Sequence, residues 1–165
     1  MIRILWLFFA RRGRPVPRVG VKAKAVLVFA LLLWYATSGF LYFELPNKPA
    51  PDKAVVYVVR PSELGGLVRF NVFLGDQEPS SEMGFTRGGQ YIYFNLPAGK
   101  QRLFSKAENA AEIEVDAKPG EVIYLQQEPA MGILFARNSI LRIEELPGKY
   151  HVKMLKPGTI LKTDK

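Results

Sequence analysis

Tyr91-Ile92-Tyr93-Phe94-Asn95-Leu96, followed by Pro97-Ala98-Gly99-Lys100 and then Gln101-Arg102-Leu103-Phe104-Ser105-Lys106, is the stretch that decides the fold. Side chains on a strand alternate between two faces, so Ile92, Phe94 and Leu96 share one face and Tyr91, Tyr93 and Asn95 the other. Pro-Ala-Gly-Lys has the composition of a tight turn, and the chain returns as a second strand. The same grammar extends in both directions. Ala54–Arg60 (AVVYVVR) is apolar on both faces, as a central strand requires. Arg69–Leu74 places Phe70, Val72 and Leu74 together, and Gly75-Asp76 ends it. Glu112–Asp116 alternates carboxylates with Ile113 and Val115, Val122–Gln127 follows a Lys-Pro-Gly-Glu turn, and Ile140–Leu146 closes the series, with Tyr150–Leu155 as a possible further strand. Region 76–90 reads as a long loop or irregular hairpin. No stretch after Glu44 carries a helical apolar stripe of useful length. Seven or eight short strands separated by Gly/Pro turns predict a small antiparallel β-sandwich.

Upstream, Ala25–Phe43 (AVLVFALLLWYATSGFLYF) runs nineteen residues without a charge. As a helix it would extend roughly 28 Å, close to the hydrocarbon thickness of a bilayer. The expected architecture is therefore mainly β, an antiparallel sandwich preceded by a single N-terminal transmembrane helix. Its segments are a basic cytoplasmic segment (1–24), the span (25–43), a Pro-rich linker (44–52), the β-domain (53–146) and a C-terminal tail (147–165). Met1–Ala10 is apolar but too short to span, and reads either as an interfacial stub or as unstructured. The linker, with Pro46, Pro49 and Pro51, is expected to be an extended, stiff spacer.

Charge supports the same arrangement. The chain of 165 residues carries a net charge of +8. Arg3, Arg11, Arg12, Arg14, Arg18, Lys22 and Lys24 precede the apolar run without one acidic residue, whereas from Glu44 onward acids and bases nearly balance. Nucleic-acid binders concentrate basic charge on the folded body, so a nucleic-acid partner is not expected. Basic flanks are retained in the cytoplasm, and Arg11, Arg12, Arg14, Arg18, Lys22 and Lys24 are the orienting residues. The expected location is the cytoplasmic (inner) membrane, single-pass, with the N-terminus inside and the β-domain in the periplasm or outside the cell. A cleaved signal peptide is the competing reading, for which Ala36-Thr37-Ser38 offers small residues. The length of the apolar run and the apolar Phe40–Phe43 that would follow the cut favour an uncleaved signal anchor.

Several motifs also point outside the chain. Val55–Pro61 (VVYVVRP), Asn71–Asp76 (NVFLGD), Tyr91–Lys100 (YIYFNLPAGK) and Lys118–Leu125 (KPGEVIYL) occur in the order of the DUF2846 family of bacterial envelope domains. They resemble that family's opening strand, its "xVYLDG" hairpin, its "YFxxxLPPGKH" strand and turn, and its "xAGKxYYLxxE" element. The resemblance covers about residues 54–146 and extends in appearance to PEGA-type and transthyretin-like sandwiches. It implies a small envelope β-sandwich and brings no catalytic residues. Many relatives have an acylated cysteine as anchor; this chain has no cysteine.

Little in the sequence points to chemistry. There is one histidine, His151, in the expected tail, and no Gly-x-Ser-x-Gly elbow. One histidine without cysteine gives no ordinary zinc set. Glu112, Glu114 and Asp116 read as a solvated strand face. Gly84–Gly89 lacks the Gly-Lys-Ser/Thr of a phosphate loop and reads as a mobile hairpin loop. No enzymatic activity, cofactor or metal is expected. The candidate partner surface is aromatic, formed by Tyr91, Tyr93, Phe73 and Tyr124, with sheet packing as the competing use of the same side chains. Met131–Ala136 (MGILFA) reads as a buried strand or crossover, or as a docking surface near the membrane. The functional expectation is a membrane-anchored, non-enzymatic envelope module with a structural or protein-interaction role. The alternatives are a glycan- or peptide-binding module using the aromatic face, and an accessory subunit of a membrane complex that makes contact through its helix.

Overall fold

A computed structural model describes residues 26–32, 34, 43–133 and 136–164. Residues 26–32 and 34 are helical and exposed, and among the described residues no helix is long and apolar enough to cross a membrane. The remainder of the 25–43 run, apart from Phe43, lies outside the described residues, as do Arg11, Arg12, Arg14, Arg18, Lys22 and Lys24.

The chain from Phe43 forms one compact unit. Its strands are β1 (Lys53–Arg60), β2 (Phe70–Leu74), β3 (Glu82–Thr86), β4 (Gln90–Pro97), β5 (Gly99–Lys106), β6 (Ala110–Ala117), β7 (Val122–Met131), β8 (Ala136–Ile143), β9 (Lys156–Pro157) and β10 (Thr159–Ile160). They build two five-stranded sheets: sheet A in the order β8-β7-β1-β4-β9 and sheet B in the order β10-β3-β2-β5-β6. A single apolar core lies between them. Sheet A contributes residues such as Val56, Val58, Phe94 and Leu125, and sheet B contributes Val72, Leu74, Met83 and Leu103. The sandwich expectation therefore holds. Its purely antiparallel form does not, because β1 pairs parallel with β7 and β4 parallel with β9. The β5–β6 hairpin of sheet B intervenes before the chain returns to sheet A, so β7 arrives beside β1 running in the same direction.

Region 76–90 takes the irregular-hairpin form of its two expected readings: it contains β3, which pairs with β2 across a register shift at Val72/Phe73 and with β10. Gly84 permits that second pairing, since a Cβ there would collide with the Thr159 carbonyl. Tyr150–Leu155 is not a strand; Glu145–Met154 is a helix. Pro147 falls in its first turn, where a backbone N–H has no intrahelical partner to lose. Gly148 and Val152, one turn apart, form its buried face. Residues 147–164 of the expected tail are thus built into the sandwich through this helix, β9 and β10 rather than trailing from it, and Lys165 lies outside the described residues.

The Pro-rich segment is likewise not a free spacer. Phe43 and Leu45 pack on the outer face of sheet A. The Asn47 N–H donates to the Tyr57 hydroxyl at 2.8 Å, and that hydroxyl donates back to the Asn47 carbonyl at 2.7 Å. The Ala50 N–H donates to Asn95 Oδ1 at 3.4 Å, and the chain turns into β1 through Asp52 at φ +58°. Prolines stiffen the segment, and alternate residues supply the contacts that dock it.

Candidate functional site

The aromatic set divides between the two sheets. Tyr57, Tyr91, Tyr93 and Tyr124 lie on the outer face of sheet A, where β1–β4 and β1–β7 register places Tyr57 beside both Tyr93 and Tyr124. Tyr57 stacks on Tyr124 with ring centroids 5.8 Å apart and lies 5.6 Å from Tyr93 and 6.3 Å from Tyr91. The C-terminal helix and the Phe43/Leu45 segment cover this row, leaving Tyr91 5% and Tyr124 2% exposed. A Cβ on Gly148 would overlap the Tyr124 ring, so glycine sets how closely the helix approaches. Burial pushes the Tyr57 phenol up to about 12 and raises those of Tyr91 and Tyr124. Phe73 belongs to sheet B, where it is buried opposite Phe104 in register. Tyr91, Tyr93, Phe73 and Tyr124 therefore do not form one exposed surface. Only Tyr93 among them keeps partial exposure.

A groove of about 690 Å³ opens at the start of the C-terminal helix, lined by Glu121, Val122, Tyr124, Arg142, Ile143, Glu144 and Glu145. Arg142 is engaged by Glu121 at 2.7 Å, and Glu145 by Lys149 at 2.5 Å. The Tyr124 hydroxyl is buried without a hydrogen-bond partner. His151 lies half-buried on the helix rather than in an exposed tail, and burial lowers its pKa. Among the described residues no three His, Cys, Asp or Glu side chains are grouped so as to hold a metal. Glu112, Glu114 and Asp116 point outward from β6, where Glu114 and Glu112 face Lys100 at 3.6 Å and Arg102 at 3.8 Å.

The most distinctive surface is the end of the sandwich at which β1 finishes. Parallel pairing of β7 with β1 carries β7 past Arg60, so the β7–β8 hairpin projects beyond the sheet there. Four other connections meet at this end. The Gly88 N–H bonds the Gly66 carbonyl, Gly89 bonds Arg60, and Lys156 bonds Gly89, joining segment 61–69, the β3–β4 turn and the end of the helix. The Glu108 N–H bonds the Ala136 carbonyl at 3.3 Å, and the Ile133 N–H bonds the Glu108 carboxylate at 3.1 Å, adding the β5–β6 turn.

Buried polar side chains hold these connections. The Arg60 guanidinium, fully buried, donates to the carbonyls of Val68 (2.7 Å), Leu64 (2.9 Å) and Gly65 (2.9 Å) and stacks 3.6 Å over Phe70. Desolvation lowers its pKa, while the neighbouring Glu63 charge acts the other way. The Thr86 hydroxyl donates to Gln127 Oε1 at 2.5 Å, and Gln127 Nε2 donates to the Ser105 hydroxyl at 2.7 Å. The Asn138 N–H donates to Asn109 Oδ1 at 2.7 Å. On this braced frame the exposed apolar side chains include Leu67 (92%), Ile133 (90%), Met131 (85%), Met154 (62%) and Leu64 (51%). Met131 and Ile133 of the MGILFA run thus stand in solvent rather than in a buried strand, Ala136 is buried at the start of β8, and Leu134 and Phe135 lie outside the described residues. The sequence signal was the apolar run itself, and register with β1 was needed to see that it overshoots the sheet.

No family model, no curated protein and no solved structure matches this chain.

Proposed function

We propose that the protein is a non-enzymatic interaction module held at the surface of the cytoplasmic membrane by residues 25–43, with its β-sandwich on the non-cytoplasmic side. The observation that carries this reading is where folding begins. Phe43, the last residue of the uncharged nineteen-residue run, is already packed on sheet A, and the next residues are hydrogen-bonded to it. Residues 43–50 are therefore not a free tether, and the partner is another envelope protein close to the bilayer. The one-sided basic flank sets the orientation. The resemblance of its motifs to those of DUF2846-type envelope domains favours the same setting.

Alkaline carbonate extraction of cell membranes tests the anchor. The full chain should remain in the pellet, and the chain lacking residues 25–42, which keeps Phe43 on sheet A, should be released. Release of both would overturn the reading. Crosslinking in native membranes then identifies the partner.

A further inference from the structure

We propose that the end of the sandwich carrying Leu67, Met131 and Ile133 is a lipid-docking face that rests on an anionic bilayer surface, an inference that builds on the membrane-anchored reading above. Its first support is the distribution of apolar groups. Leu67 and the Met131/Ile133 pair sit on separate connections, each at least 85% exposed, and Leu64 adds a half-exposed side chain. Separate projecting side chains suit a fluid interface, which closes around each one, better than a protein partner, which needs a matching hole for each. The second support is charge. Arg69, Arg87, Lys106, Arg137, Lys153 and Lys156 are exposed around this end, against the carboxylates Glu63, Glu108 and Glu128. The opposite end carries the carboxylates Asp52, Asp76, Glu78, Asp116, Glu144 and Glu145 against the exposed cations Lys100, Lys118 and Arg142, so the balance there is acidic. Cations beside exposed apolar tips complement anionic head groups, with the apolar tips below them in the acyl boundary. The third support is bracing: Arg60, Gln127 and Asn138 fix the connections from inside, so the tips are presented without a further ordering cost.

The chain has no cysteine, so single cysteines report one site each. Leu67→Cys, Ile133→Cys and, as the opposite-end control, Glu78→Cys are labelled with an environment-sensitive fluorophore in the full chain. Each is reconstituted into phosphatidylcholine/phosphatidylglycerol vesicles carrying a lipid-attached quencher, and the vesicles are washed with carbonate. Interfacial burial of about 5–10 Å predicts at least about twofold stronger quenching at positions 67 and 133 than at 78. That difference should shrink in pure phosphatidylcholine. If the chain stays with washed vesicles but all three sites are quenched equally or not at all, the docking face is wrong and the anchor stands. If the wash releases the chain, the anchor fails and this inference falls with it. Sites that remain in water in vesicles and are shielded only in native membranes would overturn the lipid assignment in favour of a protein. Because both tip residues are solvent-exposed, the labels remove no core contact. A Leu67→Asp/Ile133→Asp variant should abolish quenching of a label at Met131→Cys while keeping the thermal transition.

Discussion

The outer faces of the two sheets are built in opposite ways. Sheet A turns four tyrosines outward and buries three of them, leaving Tyr93 half-buried, under the chain's own flanking segments, with residues 43–50 on one side and the C-terminal helix on the other. Sheet B turns Phe73, Phe85 and Phe104 outward, and long charged side chains lie over two of these rings: Arg102 is 5.9 Å from the Phe104 ring, and Arg69 and Arg87 are 4.9 and 5.4 Å from that of Phe85. One face is thus closed by tertiary packing and the other by local side-chain cover. Perturbations of the first should therefore cost far more than perturbations of the second.

The largest effect is expected at Gly148. Gly148→Leu drives a side chain into the Tyr124 ring and should lower stability by about 3 kcal/mol, the upper part of the usual overpacking range. Urea unfolding reads this directly, and a loss below ~0.5 kcal/mol would show that the helix does not clamp the tyrosine face. The next largest effect is alkaline. The folded Tyr57 phenol is pushed up to about 12 from an ordinary value near 10. Below pH 10 the phenol is neutral in both states and contributes no pH dependence. Above it the unfolded chain ionises first, so stability falls as pH rises from about 10 to 12, by about 2 kcal/mol for this group. Tyr91 and Tyr124 shift in the same direction and add to the fall. Urea midpoints across that window should decline steeply, and Tyr57→Phe should flatten the decline.

These two expectations rest on parts of the fold that were unequally legible in the sequence. The sandwich was readable because period-two alternation and Pro/Gly turns mark strands locally. Eight of the ten strands are long enough to carry that signal or lie in a segment flagged as an irregular hairpin. The closure of sheet A was not readable. Glu144-Glu145-Leu146-Pro147-Gly148 has turn chemistry, and only the tertiary contact of Gly148 with Tyr124 explains a helix there. Likewise three prolines in 44–52 describe stiffness, and nothing local says that Asn47 will meet Tyr57. The alternation Tyr91-Ile92-Tyr93 correctly separated two faces, but not which further layer covers the tyrosine side. The projecting hairpin depends on β7 outrunning β1, a property of pairing that no single segment encodes.

Smaller effects sharpen the contrast. Tyr57→Phe at neutral pH leaves the Asn47 N–H and carbonyl without their partner and should cost about 1 kcal/mol, with faster proteolysis of 43–52. On sheet B, Arg102→Ala or Glu112→Ala breaks a 3.8 Å pair that is 58% and 50% exposed, and should change stability by less than about 0.5 kcal/mol. A loss as large as that at Gly148 would erase the distinction between the faces.

Residues 43–50 dock on sheet A and start the folded unit at Phe43. Amide hydrogen exchange of residues 43–52 in the full chain, held in vesicles, reads that docking. The Asn47 and Ala50 amides, bonded to Tyr57 and Asn95, should be protected and exchange far more slowly than unstructured chain. Exchange of this segment at unstructured rates while β1 stays protected would contradict it.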